Sequence, residues 1–205
     1  MVHRAAPEFR GGHIWLAVSV ALALSAALFG MAAAQAAESA TFVPWTRGER
    51  PPFKLDDLDR QAVALEARPG QLVLVHFFAT WCEPCRDELA SLRRLVERTD
   101  PARLRVVAIS VAEVDARVRS FIEKVPVNFP ILLDRDRAVA RSWEVSALPT
   151  SFILDARLQP RLFIERDYDW DKLDVAALSI SLSRLSPAAN HVATVQSNQR
   201  LEDSQ

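Results

Sequence analysis

Apolar positions along the chain fall into runs of two kinds. Residues 72–79 (LVLVHFFA) form a nearly continuous apolar stretch after the turn signal Arg68-Pro69-Gly70. This is the pattern of a strand buried on both faces. Residues 104–111 (LRVVAISV) repeat it, residues 150–154 and 161–165 read as two more strands, and residues 129–133 lead into a short one. From Pro84 the period changes. Leu89, Leu92, Leu95 and Val96 recur at helical spacing with charges between them, up to the stop at Asp100-Pro101. Residues 114–125 predict a helix with Val114, Val118, Phe121 and Ile122 on one face, closed by Pro126. Residues 138–143 predict a short helix, and 172–185 a last one with Leu173, Ala176, Ala177, Ile180 and Leu185 facing inward. Residues 53–55 and 62–65 predict the two strands of a lead-in hairpin. This order predicts an α/β domain over residues 53–185, a mixed sheet flanked by helices.

The ends carry a different pattern. Residues 1–13 are polar and weakly basic, residues 14–34 are an uncharged run rich in Ala, Leu and Val, and Ala34-Gln35-Ala36 follows as a small-x-small site. Residues 1–36 are therefore expected to be a secretory signal. An uncleaved membrane anchor is the alternative, since the run of 21 residues is long enough to span a bilayer. Either reading places the rest of the chain outside the cytoplasm, in the periplasm, where disulfides persist. Residues 37–52 are expected to be a linker, and the polar, aperiodic residues 186–205 a disordered tail.

Charge excludes one class of function. The 25 Lys and Arg balance 26 Asp and Glu, so no basic excess marks a nucleic-acid footprint. The two cysteines, Cys82 and Cys85, are the only ones in the chain. A structural disulfide across so short a loop would contribute only about 2 kcal/mol, and a zinc site would need two further ligands. No metal or other cofactor is implied. The sequence Cys82-Glu83-Pro84-Cys85 instead follows a buried strand and opens a helix. Unpaired N–H groups and the positive end of the helix dipole stabilise a thiolate there. Cys82, at the exposed start, is expected to attack. Cys85, one turn in and more buried, is expected to resolve the mixed disulfide. Glu83 and Pro84 between them would tune the redox poise, with the Glu83 carboxylate partly offsetting the helix dipole.

The stretch LVLVHFFATWCEPCRDEL, with Ala147-Leu148-Pro149-Thr150 downstream, resembles the thioredoxin superfamily, and within it the TlpA/ResA-like branch. The resemblance implies a thioredoxin-like fold over residues 53–185. It implies that Pro149 is a cis-proline facing the cysteine pair, that the Leu148 backbone pairs with an extended substrate segment, and that Trp81 contacts substrate. ResA-like proteins carry a glutamate three residues after the second cysteine, which places Glu88 as a proton carrier for the attack by Cys85. His76 departs from the family, which has Asp or Asn six residues before the first cysteine. Its imidazole is expected to be half-buried, and reads either as a proton relay titrating near neutral pH or as a satisfied core side chain.

These readings converge on an exported thiol–disulfide oxidoreductase, most simply a reductase. Its partners would be exported client proteins, engaged through mixed disulfides, and a membrane thiol donor of electrons. The resemblance implies clients in cytochrome c or cytochrome oxidase assembly. Two other classes stay open: a copper-binding assembly factor using the two thiolates, and a non-catalytic binding module. A peroxidase of the one-cysteine type does not fit the CxxC spacing.

Overall fold

A computed structural model describes residues 42–185. The expected export segment and the polar tail lie outside the described residues. Among the described residues, no helix is long and apolar enough to cross a membrane.

The chain runs β1 (Val43–Pro44), β2 (Lys54–Asp56), β3 (Ala62–Ala64), β4 (Leu72–Phe78), α1 (Glu83–Arg98), β5 (Leu104–Val111), α2 (Asp115–Lys124), β6 (Ile131–Asp134), α3 (Ala138–Ser142), β7 (Thr150–Leu154), β8 (Pro160–Ile164), a 3-10 turn (Trp170–Lys172) and α4 (Val175–Leu185). Six strands form one mixed sheet in the order β1-β8-β7-β4-β5-β6, and β2 and β3 form the expected hairpin. β4 runs parallel to β5 and antiparallel to β7. Every residue of β4 is buried, as its unbroken apolar pattern requires of a central strand covered on both faces.

Alternation along β4 divides the interior in two. Leu72, Leu74 and Phe78 face α1 and pack with Leu89, Leu92 and Leu95, while α4 closes that layer with Leu182. Val73, Val75 and Phe77 point the other way, into a core built around Phe53, Trp143 and Phe152.

Three expectations are corrected. Residues 37–52 were expected to be linker, yet within the described part of it Val43 and Pro44 pair with Phe163 and Leu162 of β8. Trp45 then sets its ring edge-on to Phe152 and Phe163. An edge of only two residues carries no period from which it could be read. Val114 does not join the inner face of α2. It is the extended residue before the helix and is exposed, while Val118 carries the buried position. The last helix starts later than expected. The Asp174 side chain accepts the Ala177 N–H at 2.9 Å, so α4 begins at Val175 and turns Val175, Leu178 and Leu182 inward. Ala176, Ala177 and Ile180 face solvent, Ile180 being 53% exposed. That register packs Val175, Leu178 and Leu182 against the core in place of Ala176, Ala177 and Ile180, and a Val or Leu removes more apolar area from water than an alanine.

Candidate active site

The β4–α1 junction carries the cysteine pair. Cys82 is the extended residue capping α1, and Pro84 sits in its first turn, where a missing N–H breaks no helical bond. Cys82 and Cys85 form a disulfide with Sγ atoms 2.09 Å apart and Cα atoms 5.3 Å apart. The two sulfurs are not equivalent. Cys85 is fully buried in the α1 layer, whereas Cys82 keeps 6% of its surface. Cys82 is thus more covered than its place at the helix start suggested, but it remains the outer of the two. Glu83 and Pro84 are exposed between them, and Trp81 stands out from the surface, 65% exposed. Such exposure rules out core packing as the reason for Trp81.

Strand register brings the distant residues to the same end. Thr150 pairs with Phe77, so Pro149 lies alongside the last residues of β4, just where the chain leaves for Cys82. The Leu148–Pro149 peptide bond is cis, as the resemblance implied. Trp81 and Leu148 line one cavity of about 420 Å³, whose other walls come from the end of β5, the start of α3 and residues 145–147. Pro84 and Glu88 line a second, of about 260 Å³, on the α1 side of the sheet.

Glu88 is a buried carboxyl, only 3% exposed. Its Oε1 accepts hydrogen bonds from Trp170 Nε1 at 2.8 Å and from the Tyr168 N–H at 3.1 Å. Its Oε2 is buried with no partner among the described residues. Burial pushes the Glu88 pKa up to about 8, Asp167 nearby adds to the rise, and the two hydrogen bonds oppose it. Glu88 follows Cys85 by three residues, so the two share one face of α1. The carboxyl is therefore largely protonated at neutral pH and releases its proton just above it.

His76 is not the half-buried group expected. It is fully buried in β4, its Nδ1 shares a 2.9 Å hydrogen bond with Ser151 Oγ, and its Nε2 has no partner among the described residues. Desolvation pushes its pKa down to about 3. The imidazole is neutral across the physiological range, which overturns the expectation that it titrates near neutral pH. It is also only half satisfied as a core side chain.

Two features were not visible in the sequence. Glu113, buried just past β5, accepts the Thr80 N–H at 2.8 Å, the Thr80 hydroxyl at 2.5 Å and the Ser110 hydroxyl at 2.8 Å. It ties down the loop that presents Trp81 and Cys82. A glutamate after a strand carries no local signal of this. The partners of Glu88 were hidden likewise: Arg94 grips Asp171 through Nε and Nη2, and Arg98 donates to the carbonyls of Trp170, Asp171 and Leu173. These bonds dock the 3-10 turn on α1 and so carry Trp170 to Glu88. Among the described residues, no group of three or more His, Cys, Asp or Glu is placed to hold a metal ion.

A central parallel–antiparallel sheet, a CxxC pair at the start of the helix after its central strand, and a cis-proline beside that strand's end together define a thioredoxin-like protein. The model of the AhpC/TSA family matches residues 47–159, and the chain belongs to that family. It is 34% identical over 107 residues to the thiol-disulfide oxidoreductase ResA of Bacillus subtilis, covering 52% of this chain and 60% of that protein. The match thus spans less than two thirds of that relative's length. Two solved structures share the fold. A secreted thiol-disulfide isomerase from Corynebacterium glutamicum superposes with a TM-score of 0.59 at 22% identity, over 70% of this chain and 94% of that one. A thiol:disulfide interchange protein of the thioredoxin family from Chlorobium tepidum gives 0.56 at 21% identity, over 67% and 99%.

Proposed function

We propose that this chain is an exported thiol–disulfide oxidoreductase that reduces disulfides in client proteins. One observation carries the reading: two sulfurs within bonding distance at a helix start, the outer one partly open and the inner one sealed against the carboxyl-bearing face of α1. In the reduced form the Cys82 thiolate attacks one sulfur of a client disulfide. The other client sulfur leaves as a thiolate and takes up a proton. Cys85, on losing its proton, attacks Cys82, re-forms the disulfide, and releases the first client sulfur. Two electrons and two protons pass to the client. Glu88, on the same face of α1 as Cys85, would take the Cys85 proton in its ionised form. Glu83 and Pro84 tune the pair, and Trp81, Leu148 and Pro149 receive the client. A membrane-bound dithiol would return Cys82 and Cys85 to the reduced state. The resemblance of the sequence to the TlpA/ResA-like branch suggests clients in cytochrome c or cytochrome oxidase assembly, in the periplasm, with residues 1–36 directing export.

Trapping tests this. Cys85→Ser leaves Cys82 able to attack but stops resolution, so clients are expected to accumulate as mixed disulfides on Cys82 that a reductant releases. A Cys85→Ser protein that captures no client in its own compartment, while Cys82 stays alkylatable, contradicts the reductase reading.

A further inference from the structure

The two cavities beside the cysteine pair differ in charge. The α1-side cavity is lined by Asp87, Glu88, Asp167 and Asp169, and its one cation, Arg94, is bound to Asp171. The cavity between Trp81 and Leu148 is walled mostly by apolar residues with Ser146 among them, and the only charged residue lining it among the described residues is Arg137. The guanidinium of Arg137 has no ion-pair or hydrogen-bond partner among the described residues, and Arg141, one turn further on, has none either.

Of the acidic groups close by, Glu83 is exposed two residues after Trp81, and Glu165 accepts the N–H and hydroxyl of the lining Ser146 at 3.3 and 2.6 Å; four others are held by different partners. Asp134 is buried and accepts the Val139 and Ala140 N–H groups at 3.2 and 2.8 Å. Asp136 accepts the Ala138 N–H. Glu144 binds Arg47 and Arg50, and Glu113 is held by Thr80 and Ser110. The charged residue that lines the groove itself is thus a cation, with Glu165 behind Ser146 at its rim. Arg137 holds a left-handed backbone, φ 62°, a conformation in which glycine would fit with less strain.

We infer that the groove between Trp81 and Leu148 selects client segments that carry an Asp or Glu side chain beside the reacting cysteine, with Arg137 as the specificity-determining residue. An extended segment entering past Leu148 lays its apolar side chains on the groove wall. Its carboxylate meets a planar fork of N–H donors able to hold both oxygens. This rests on the oxidoreductase reading and names the kind of client it takes.

The test uses the reduced full-length protein and synthetic apolar peptides. Each peptide has one cysteine held as a mixed disulfide with 2-mercaptoethanol, and Asp, Asn or Lys is scanned through the positions flanking it. Reduction is followed by mass spectrometry. At one flanking position Asp is expected to react about fivefold faster than Asn, the scale of a part-exposed ion pair, with Lys slowest. The preference is expected to shrink as salt is raised. Arg137→Gln and Arg137→Gly, the latter suited to the left-handed backbone, are each expected to bring the Asp and Asn rates together. Equal rates for Asp and Asn at every position in the unmodified protein, or an Asp preference that survives both substitutions, overturn the inference while leaving the oxidoreductase reading intact. Reduction of no peptide at all overturns both.

Discussion

Glu88 Oε1 accepts the indole N–H of Trp170 at 2.8 Å, joining α1 to a turn 82 residues further along the chain. Burial raises the carboxyl pKa to about 8, and this bond holds it below where burial alone would put it. Trp170→Phe is therefore expected to move the Glu88 ionisation further up. If Glu88 takes the Cys85 proton, turnover of a client disulfide rises with pH through that ionisation. The pH–rate profile of the unmodified protein should bend near pH 8, the bend should shift up in Trp170→Phe, and Glu88→Gln should remove it with a loss of about 100-fold in rate. An unshifted bend in Trp170→Phe would deny Glu88 this role.

The same carboxyl leaves a mark on stability. Unfolded Glu88 releases its proton near pH 4.5, whereas the folded form keeps it to about pH 8. Between those limits the folded state holds more protons, so stability falls as pH rises, and the fall ends above pH 8. Denaturant unfolding at pH 5 and pH 9 should show the unmodified protein losing roughly 2–4 kcal/mol relative to Glu88→Gln.

His76 acts in the opposite sense. Its pKa is lowered from 6.5 to about 3, so on acidification the unfolded chain takes up a proton that the folded chain refuses. The stability held above pH 6.5 is lost as pH falls toward 3, again by roughly 2–4 kcal/mol. His76→Asn, which cannot titrate, should lack this slope in unfolding curves taken from pH 7 to pH 4. Equal slopes in the two proteins would mean that the ring is not held neutral.

Glu113→Ala strips the acceptor from the Thr80 N–H and from the hydroxyls of Thr80 and Ser110. Leaving these donors unmatched should cost about 2–4 kcal/mol and loosen the loop ahead of Cys82. Hydrogen exchange reads this directly: the Thr80 amide should lose its protection in Glu113→Ala while amides at the centre of β4 keep theirs. Glu113→Gln, which retains one acceptor oxygen, should fall between the two.

Local pattern made the sheet, α1 and the cysteine pair legible, because each depends on neighbours within a turn or a strand. Cys82 and Cys85 could be ranked as outer and inner from their helix positions alone. Contacts between distant segments were not legible. The burial of Glu88 depends on Trp170, which depends on Arg94 and Arg98. The buried state of His76 depends on its place on the α1 face of the central strand. The face of α4 turned on whether Asp174 or Lys172 begins the helix, a choice that spacing alone leaves open. Thr80 and Glu113 lie 33 residues apart, and nothing in either stretch announces the other.

The asymmetry of the two sulfurs is tested most directly by alkylating the reduced protein with iodoacetamide across pH and locating the label by peptide mass spectrometry. Cys82 should be labelled first, following an ionisation below the ordinary thiol value of about 8.5, and Cys85 only once the protein is unfolded. Labelling of Cys85 at the same rate as Cys82, or of Cys82 with the pH dependence of a free thiol, would contradict the assignment of attacking and resolving sulfurs.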